Sequence, residues 1–310
     1  MISPVDSLSR ALAAQMPVDT LLIHGVIESV DGLMVHPRTV GFSDDGTIWV
    51  TDSRVHRVLS FDSSGVLASV DTLEGATPYL AGVSSDSVFI YSPVDHSVWV
   101  RAPRGSWETI SLEGELPVER ALTYVVKTPS GFTTKVLGDD FEGYLGNHSE
   151  DGALLHTTPI SGPSWRYAGM LREHEGAIYS LVGYRPMIDR LRSAGLDSLQ
   201  LVGFDSPMLA RSHQFVLGNA DQPPLLSASA AFVDEYILML NMRPGWLNLD
   251  VFDLEGRLQY ILTQPNPSFA KEYYPSDLAV RAVGDGSYEL AVTVTEPAPR
   301  IDRFIWWPGN

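Results

Sequence analysis

Residues 39–70 carry the stretch TVGFSDDGTIWVTDSRVHRVLSFDSSGVLASV, which reads as four short strands in succession. Runs rich in β-branched and aromatic residues occupy 39–42, 47–51, 56–61 and 66–70, and such runs favour strands. The turns at 43–46 and 62–65 contain Asp and Gly, which tolerate the backbone conformations of tight turns. A sheet of four short strands cannot bury both of its faces alone. The stretch therefore predicts further copies of itself.

Copies of this four-strand pattern follow along the chain, and they begin near Leu80, Ala121, Tyr167, Ser227 and Ser276. The last copy ends after three strands, and the isolated strand at 20–29 can supply the fourth, which removes an open edge. The sequence therefore predicts an all-β fold, a six-bladed β-propeller whose ring is closed by the N-terminal strand pairing with the last blade. A β-sandwich is the alternative, but it does not explain why one strand order recurs.

Residues 1–310 are expected to form a single propeller domain with two additions. The first is an N-terminal arm at 1–18, in which residues 3–15 have an amphipathic helical pattern. The second is an insertion at 203–226 between the fourth and fifth copies, with a short helix at 206–215. This insertion has two interpretations, a surface excursion or a lid over a ligand site.

The first copy resembles an NHL-type repeat. Its matching residues are Asp45-Gly46, the strand 48–52, the strand segment 58–62 and Gly65, and the fifth copy repeats the second half of the motif at 249–256. The whole chain resembles the bacterial six-bladed β-propellers that are related to NHL proteins. The resemblance implies the fold. It does not imply one function, because related propellers include lactonases, lyases, hydrolases and binding proteins.

Composition restricts the partners of the chain. The formal net charge of −17 argues against nucleic acid and anionic membranes, because both require a basic surface. The chain has no cysteine, which excludes disulfides and thiolate chemistry. No apolar window is long enough for a transmembrane segment. We expect a monomer that is periplasmic or extracellular if an export signal has been removed, and cytoplasmic otherwise.

Arginine is concentrated in the loops that a propeller places at one end, which are the loops before the first strand and between the second and third strands of each copy. Aromatic residues accompany it there. Guanidinium groups bind carboxylate and phosphate, and aromatic rings supply apolar walls. The predicted ligand-binding residues are Arg38, Arg54, Arg120, Trp165, Arg166, Tyr167, Arg185, Arg243, Tyr274 and Arg300. Four more aromatic residues accompany these loops: Tyr79, Tyr184, Trp246 and Tyr273. The alternative is that these arginines pair with neighbouring acids and lock blades together.

A metal site is a weaker candidate. The histidines are scattered without the spacing of a zinc motif, and His36, Asp52 and Glu119 are the residues that could meet near the axis. Related lactonases hold a divalent ion with Glu, Asn and Asp, but this chain has no position-by-position match. We therefore expect no cofactor, with Ca²⁺ or Zn²⁺ as the alternative.

Two classes of function follow from these observations. The first is a binding propeller whose Arg- and aromatic-lined funnel holds an anionic small molecule or a peptide carboxylate. The alternative is a hydrolase or lyase that uses the same funnel, similar to lactonases and with or without a divalent metal. No recognisable catalytic set is present, so the sequence leaves open whether the protein is an enzyme.

Overall fold

We analysed a computed structural model, which describes residues 4–84, 86–102, 105–114, 122–138, 142–192, 195–243 and 245–309. These residues form two compact units. Unit 1 comprises Met1–His24, Trp165–Leu290 and Arg303–Asn310, and unit 2 comprises Gly25–Ser164 and Ala291–Asp302.

The structure is mostly β, as predicted. In the described part it has two α-helices, α1 (Pro4–Ala13) and α2 (Leu209–Val216), and one 3-10 helix at Ser164–Arg166. The strands up to the middle of the chain are β1 (Val18–Thr20), β2 (Leu22–Glu28), β3 (Pro37–Phe42), β4 (Ile48–Asp52), β5 (Arg57–Phe61), β6 (Leu67–Thr72), β7 (Tyr79–Val83), β8 (Val88–Ser92), β9 (Ser97–Arg101), β10 (Trp107–Ser111), β11 (Leu122–Thr128), β12 (Gly131–Leu137), β13 (Glu142–His148) and β14 (Leu154–Ser161). The remaining strands are β15 (Leu171–His174), β16 (Ala177–Leu181), β17 (Met187–Arg192), β18 (Gly195–Gln200), β19 (Ser227–Val233), β20 (Tyr236–Asn241), β21 (Asn248–Asp253), β22 (Leu258–Thr263), β23 (Tyr274–Ala282), β24 (Tyr288–Glu296) and β25 (Arg300–Trp306).

The strands form six blades, and the fold is a six-bladed β-propeller. The blades are blade 1 (β3 to β6), blade 2 (β7 to β10), blade 3 (β11 to β14), blade 4 (β15 to β18), blade 5 (β19 to β22 with β1) and blade 6 (β23 to β25 with β2). The prediction that an N-terminal strand completes the last blade is confirmed, because β2 lies beside β25. The predicted strand at 20–29 is divided, however, since β1 pairs in parallel with β22 and leaves blade 5 with five strands.

Blade 1 follows the predicted turns. Gly46 and Gly65 have φ values of 85° and 88°, which residues with a side chain rarely adopt, so glycine fits both turns. Val50, Val58 and Leu59 are fully buried, whereas Leu67 on the outermost strand is exposed. The inner strands therefore anchor the blade in the core of unit 2, and the outer strand faces solvent.

The cores of the two units each join neighbouring blades. In unit 2, Val58 of blade 1 packs with Ile90 of blade 2. In unit 1, Leu181 of blade 4 packs with Met239 and Phe252 of blade 5, and the same cluster contains Ala13 of α1. Burial of such apolar surface is the main source of stability, at about 25 cal/mol per Å².

The insertion at 203–226 covers loops of blades 4 and 5 within unit 1. The Ser212 hydroxyl donates to the carbonyl of Tyr184 at 3.2 Å. At the N-terminal side of the insertion, the Arg10 guanidinium of α1 donates to the Asp205 carboxylate at 2.9 Å. The helical arm predicted at 3–15 and the short helix predicted at 206–215 are both present, with different ends, as α1 and α2.

Candidate functional site

A buried carboxylate organises one end of blade 1. Asp52 is the last residue of β4 and is fully buried. Its Oδ2 accepts hydrogen bonds from the backbone N–H groups of Val35 and His36, at 2.5 and 2.8 Å. Its Oδ1 accepts from the N–H groups of Arg54 and Val55, at 3.0 and 3.3 Å. One side chain therefore joins the segment before β3 to the loop between β4 and β5.

Arg38 and Arg54 are carried by the two segments that Asp52 joins. Arg38 lies at a β-bulge, because the register of β3 and β4 shifts between Pro37 and Thr39, and bulges re-aim side chains. Arg54 is exposed in the following loop. Neither guanidinium forms a hydrogen bond or an ion pair with another side chain or carbonyl in the described part of the chain. Asp52 thus brings two cationic side chains without such partners to one end of the blade.

Two further polar side chains lie at this end. His36 directly precedes β3, and Tyr79 begins β7, the first strand of blade 2. The two first strands are adjacent there, because the N–H of Leu80 donates to the Thr39 hydroxyl at 2.8 Å. The His36 and Tyr79 side chains are half-buried, and among the described residues neither has a side-chain hydrogen bond. We call Arg38, Arg54, His36 and Tyr79 the blade 1 cluster.

The predicted residues of blade 4 serve packing and an ion pair. Arg166 donates both terminal nitrogens to the carboxylate of the fully buried Asp189, at 2.9 Å each, and lies over the Tyr167 ring at 4.8 Å. The Trp165 ring packs edge-on against Phe215 of α2, with 4.8 Å between centroids. Arg166 therefore fits the alternative interpretation of the loop arginines, in which they pair with acidic residues.

The other predicted arginines differ among themselves. Arg243 donates to the backbone carbonyl of Asp205 at 2.6 Å. Arg300 pairs with Asp302, whereas half-buried Arg185 has no side-chain partner within the described ranges. Tyr274, at the start of β23, is exposed. Arg120 and Glu119 lie outside the described residues.

Asp52, one of the three proposed metal ligands, already accepts four hydrogen bonds. The four N–H groups that point at Asp52 occupy the lone pairs a cation would need, so this carboxylate does not fit a metal ligand. In the part of the chain that the structure describes, no three His, Cys, Asp or Glu residues are grouped to hold a metal. The same residues include no helix long and apolar enough to cross a membrane.

A buried polar cluster in blade 5 was not predicted from the sequence. The Asn241 side-chain amide donates to the Asp250 carboxylate at 2.7 Å and to the Asp205 carbonyl at 2.8 Å. Burial raises the pKa of the Asp250 carboxyl to about 7, although the positive charge of Arg243 opposes this shift. One feature of the sequence could have indicated this cluster: Asn248 and Asp250 alternate with apolar residues in β21. Polar residues that are buried in an inner strand require hydrogen-bond partners.

A second unpredicted cluster joins the first strands of blades 4, 5 and 6. Arg172 of β15 donates to the Asp277 carboxylate at 2.6 Å, to the Ser229 hydroxyl at 2.9 Å and to the Ala230 carbonyl at 2.9 Å. Asp277 is only 1% exposed. This arginine lies within a strand rather than a loop, which is why a search of loops missed it.

Two buried histidines lie in unit 2. His148 contacts the Thr134 hydroxyl at 3.1 Å and the Gly152 carbonyl at 3.2 Å, and His96 contacts the Tyr91 hydroxyl at 3.0 Å. Burial lowers the pKa of both imidazoles, since water that would solvate the charged form is excluded. Both groups are therefore held neutral within the fold.

Solved structures of other propellers are similar over most of the chain. A streptogramin B lyase has a TM-score of 0.57 at 12% identity, covering 91% of this chain and 97% of that chain. A catalytically inactive virginiamycin B lyase from Staphylococcus aureus, solved with quinupristin, has 0.55 at 12%, covering 90% and 87%. Regucalcin, a calcium-binding protein from Agrobacterium tumefaciens, has 0.54 at 14%, covering 93% and 97%.

At these identities the likeness shows the fold alone, which is the six-bladed β-propeller. No family model matches the sequence, and no curated protein matches it.

Proposed function

We propose that the protein is a binding propeller whose blade 1 cluster holds an anionic small molecule or a peptide carboxylate. The observation that carries the proposal is the Asp52 clamp, which fixes the backbones of the His36 and Arg54 segments through four hydrogen bonds. A site whose segments are already fixed loses little conformational entropy on binding. Of the arginines that the sequence predicts to line a site, the proposal uses only those at one end of blade 1.

Charge supports an anion as the ligand. The chain carries a net charge of −17, and acidic side chains are therefore abundant as partners for arginine. Arg101, Arg166, Arg172 and Arg190 all have such partners. Arg38 and Arg54 have none among the described residues, so an external carboxylate or phosphate can bind them without displacing an internal ion pair.

The resemblance of blades 1 and 5 to NHL-type repeats supports the further proposal that the chain is related to the bacterial NHL-like propellers. In such folds the ligand site varies while the blades persist, so the resemblance is compatible with binding and with catalysis.

Anion-dependent thermal stabilisation tests the binding proposal. The melting temperature is measured with citrate, phosphate and, at matched ionic strength, chloride. We expect citrate or phosphate to raise it more than chloride does, because a ligand that binds the native state alone stabilises that state. The double variant Arg38→Gln with Arg54→Gln is expected to lose this difference.

Arg57→Gln is the matched control, because Arg57 lies on β5 of the same blade and its guanidinium already donates to the carbonyls of Gly32 and Leu33. It should keep the anion response. A double variant that responds as the wild type does, or a wild type that responds equally to all three anions, would show that the cluster does not bind them.

A lyase or hydrolase is the second candidate, and Asp250 is the observation that favours it. A carboxyl group with a pKa of about 7 can hold or release a proton near neutral pH, as a general acid or base requires. In this candidate the insertion at 203–226 acts as a lid, since Asp205 contacts Asn241 and Arg243 beside Asp250.

Quinupristin, which was bound to one of the similar lyases, is the probe for this candidate. The protein is incubated with it, and intact quinupristin is measured by liquid chromatography. Loss of quinupristin that the Asp250→Asn variant abolishes supports the enzyme. Unchanged quinupristin removes this compound as a substrate.

A further inference from the structure

Three polar atoms at one end of blade 5 are buried without a hydrogen-bond partner among the described residues. They are the side-chain oxygens of Asn241 and Asn248 and the Nε of Arg243. Asn241 is only 1% exposed, and Asn248 is 8% exposed. A buried polar group without a partner destabilises a fold, and native proteins contain few of them. Three such atoms at one place indicate a site that a bound group completes.

The strand register brings the two amide oxygens together. Leu240 of β20 pairs with Leu249 of β21, so the next residues outward, Asn241 and Asn248, lie opposite each other. Side chains that are opposite each other in an antiparallel pair lie on the same face of the sheet. Asp250 lies on this face as well, since its carboxylate accepts from the Asn241 amide at 2.7 Å. The blade therefore ends in two facing amides beside a buried carboxyl group.

Asp205 brings the third atom to this place and fixes the direction of one amide. The Arg243 Nη2 and the Asn241 Nδ2 both donate to its backbone carbonyl, at 2.6 and 2.8 Å. Because the Asn241 nitrogen donates to this carbonyl and to Asp250, the Asn241 oxygen is the atom left to accept a hydrogen bond. We call the Asn241 oxygen, the Asn248 oxygen and the Arg243 Nε the blade 5 site.

Blade 1 has the corresponding position completed by the chain itself. Asp52 is the last residue of β4, as Asn241 is of β20, and each strand is the second of its blade. The four hydrogen bonds to Asp52 come from backbone N–H groups. In the described part of blade 5, no such donor reaches the Asn241 or Asn248 oxygen. The donors that blade 5 lacks must come from a bound molecule.

We propose that the blade 5 site binds the neutral primary carboxamide group of a small molecule. The two N–H hydrogens of such a group donate to the Asn241 and Asn248 oxygens, and its carbonyl accepts from the Arg243 Nε. This arrangement gives a partner to all three atoms of the site. An anion does not fit because it has no hydrogen to donate to the two oxygens, and a cation does not fit because the Arg243 guanidinium repels it.

The proposal does not depend on catalysis. Asp250 is the acid or base of the second candidate function, whereas here it is only a neighbour of the bound group. Binding of a carboxamide without turnover of quinupristin is therefore consistent with the proposal. Turnover without carboxamide binding would support the enzyme alone.

The start of the insertion covers the blade 5 site and is held by α1. The Arg10 guanidinium donates to the Asp205 carboxylate at 2.9 Å, and the Gly203 N–H donates to the Ser9 hydroxyl at 3.2 Å. A ligand enters when residues 203–206 move away from the end of blade 5. This movement breaks side-chain hydrogen bonds and leaves the strand pairing of the blade intact.

The test is the binding of acetamide to the full chain, measured by saturation transfer from the protein to the acetamide methyl group in NMR spectra. N,N-dimethylacetamide is the matched probe, because it keeps the carbonyl and has no N–H group. We expect a signal for acetamide and none for N,N-dimethylacetamide. Asn248→Leu removes one acceptor and should weaken acetamide binding about tenfold. Asn219→Leu changes an exposed asparagine of the insertion and should bind acetamide as the wild type does.

Equal signals from the two probes overturn the proposal, and so does acetamide binding that Asn248→Leu leaves unchanged. The absence of an acetamide signal also overturns it and assigns the three atoms to a buried water molecule, which offers the same donors and acceptor. If Asn248→Leu does not fold, the melting temperature of the wild type is the second measurement. Acetamide should raise it relative to N,N-dimethylacetamide at the same concentration, and equal melting temperatures would contradict the proposal.

Discussion

Arg172 in blade 4 and the two arginines of the blade 1 cluster have opposite surroundings. Arg172 is held by a carboxylate that is 1% exposed, a hydroxyl and a carbonyl. Arg38 and Arg54 have no such partners in the described residues, although the segments that carry them are held by Asp52. In the first case the side chain is fixed, and in the second the backbone is fixed while the side chain is available.

This difference in partners predicts which arginines stabilise the fold and which are available to bind a ligand. A guanidinium that pairs with a buried carboxylate neutralises the charge of that carboxylate. Its removal leaves an unpaired charge in a site of low polarity, which destabilises the fold. Removal of an exposed guanidinium from a fixed loop changes the stability of the fold little. It weakens the binding of an anionic ligand, because the ligand loses its counterion. Position between two strands does not by itself distinguish the two, because Arg166 lies in the connection between β14 and β15 and is nevertheless paired with Asp189.

The largest effect is expected for Arg172→Leu. It leaves Asp277 buried without its cation, and the free energy of unfolding should fall by about 3–5 kcal/mol. Chemical denaturation at pH 7 measures this, with Arg54→Gln as the control that changes stability by less than about 0.5 kcal/mol. Equal effects of the two substitutions would remove the distinction between the two kinds of arginine.

The next effect concerns the dependence of stability on pH in blade 5. The pKa of Asp250 is raised from 3.8 to about 7, so the folded state binds this proton more tightly than the unfolded state does. The contribution of Asp250 is complete below pH 3.8 and is lost as the pH rises through about 7. Asp250→Asn keeps the hydrogen bond from Asn241 and removes this titration.

The unfolding free energy of Asp250→Asn should therefore rise relative to that of the wild type as the pH increases from 4 to 8. A shift of about three pKa units corresponds to about 4 kcal/mol. Denaturation curves at several pH values measure the difference. A difference that is constant with pH would mean that the carboxyl is ionised normally.

Asp52→Ala tests the clamp in blade 1. Four backbone N–H groups lose their acceptor in a buried site, and we expect the unfolding free energy to fall by about 2–3 kcal/mol. Asp44→Ala, on the exposed turn of the same blade, is the control and should have little effect. The clamp variant should also lose the citrate or phosphate response, although Arg38 and Arg54 remain. Retention of that response would show that the backbone clamp does not shape the site.

The smallest effect is expected from the buried histidines of unit 2, and its direction is opposite to that of Asp250. Burial lowers the pKa of His96 and His148, so the unfolded state binds protons more readily than the folded state does. Their contribution is present above the unfolded pKa of about 6.5 and is lost as the pH falls below it. His148→Gln should make the loss of stability between pH 7 and 5 less steep. An unchanged slope would assign the acid sensitivity to other groups.

The sequence carries much of the fold because local signals and burial agree. Gly46 and Gly65 mark turns whose positive φ glycine tolerates best. The missing strand of the last copy is found by counting strands in each copy. The strand β1 could not be predicted, since the three residues Val-Asp-Thr contain no pattern. Its parallel pairing with β22 depends on tertiary contacts that bring distant segments together.

The site is harder to predict from the sequence than the fold is. Proximity in sequence shows the pairing of Arg300 with Asp302, because residues two apart lie on the same face of a strand. The partners of Arg166 and Arg172 lie on other strands, 23 and 105 residues away, so no local pattern indicates them. Which arginines remain available for a ligand is therefore a property of the packed structure.

The most direct test of the central claim is a calorimetric titration of citrate into the wild type, Arg54→Gln and Arg166→Gln. The blade 1 cluster predicts that Arg54→Gln weakens binding about tenfold or more, since a charge-assisted hydrogen bond contributes about 1.5–3 kcal/mol. Arg166→Gln should leave the affinity unchanged, because Arg166 is already paired with Asp189. Equal affinity of the wild type and Arg54→Gln, or a loss confined to Arg166→Gln, would contradict the account.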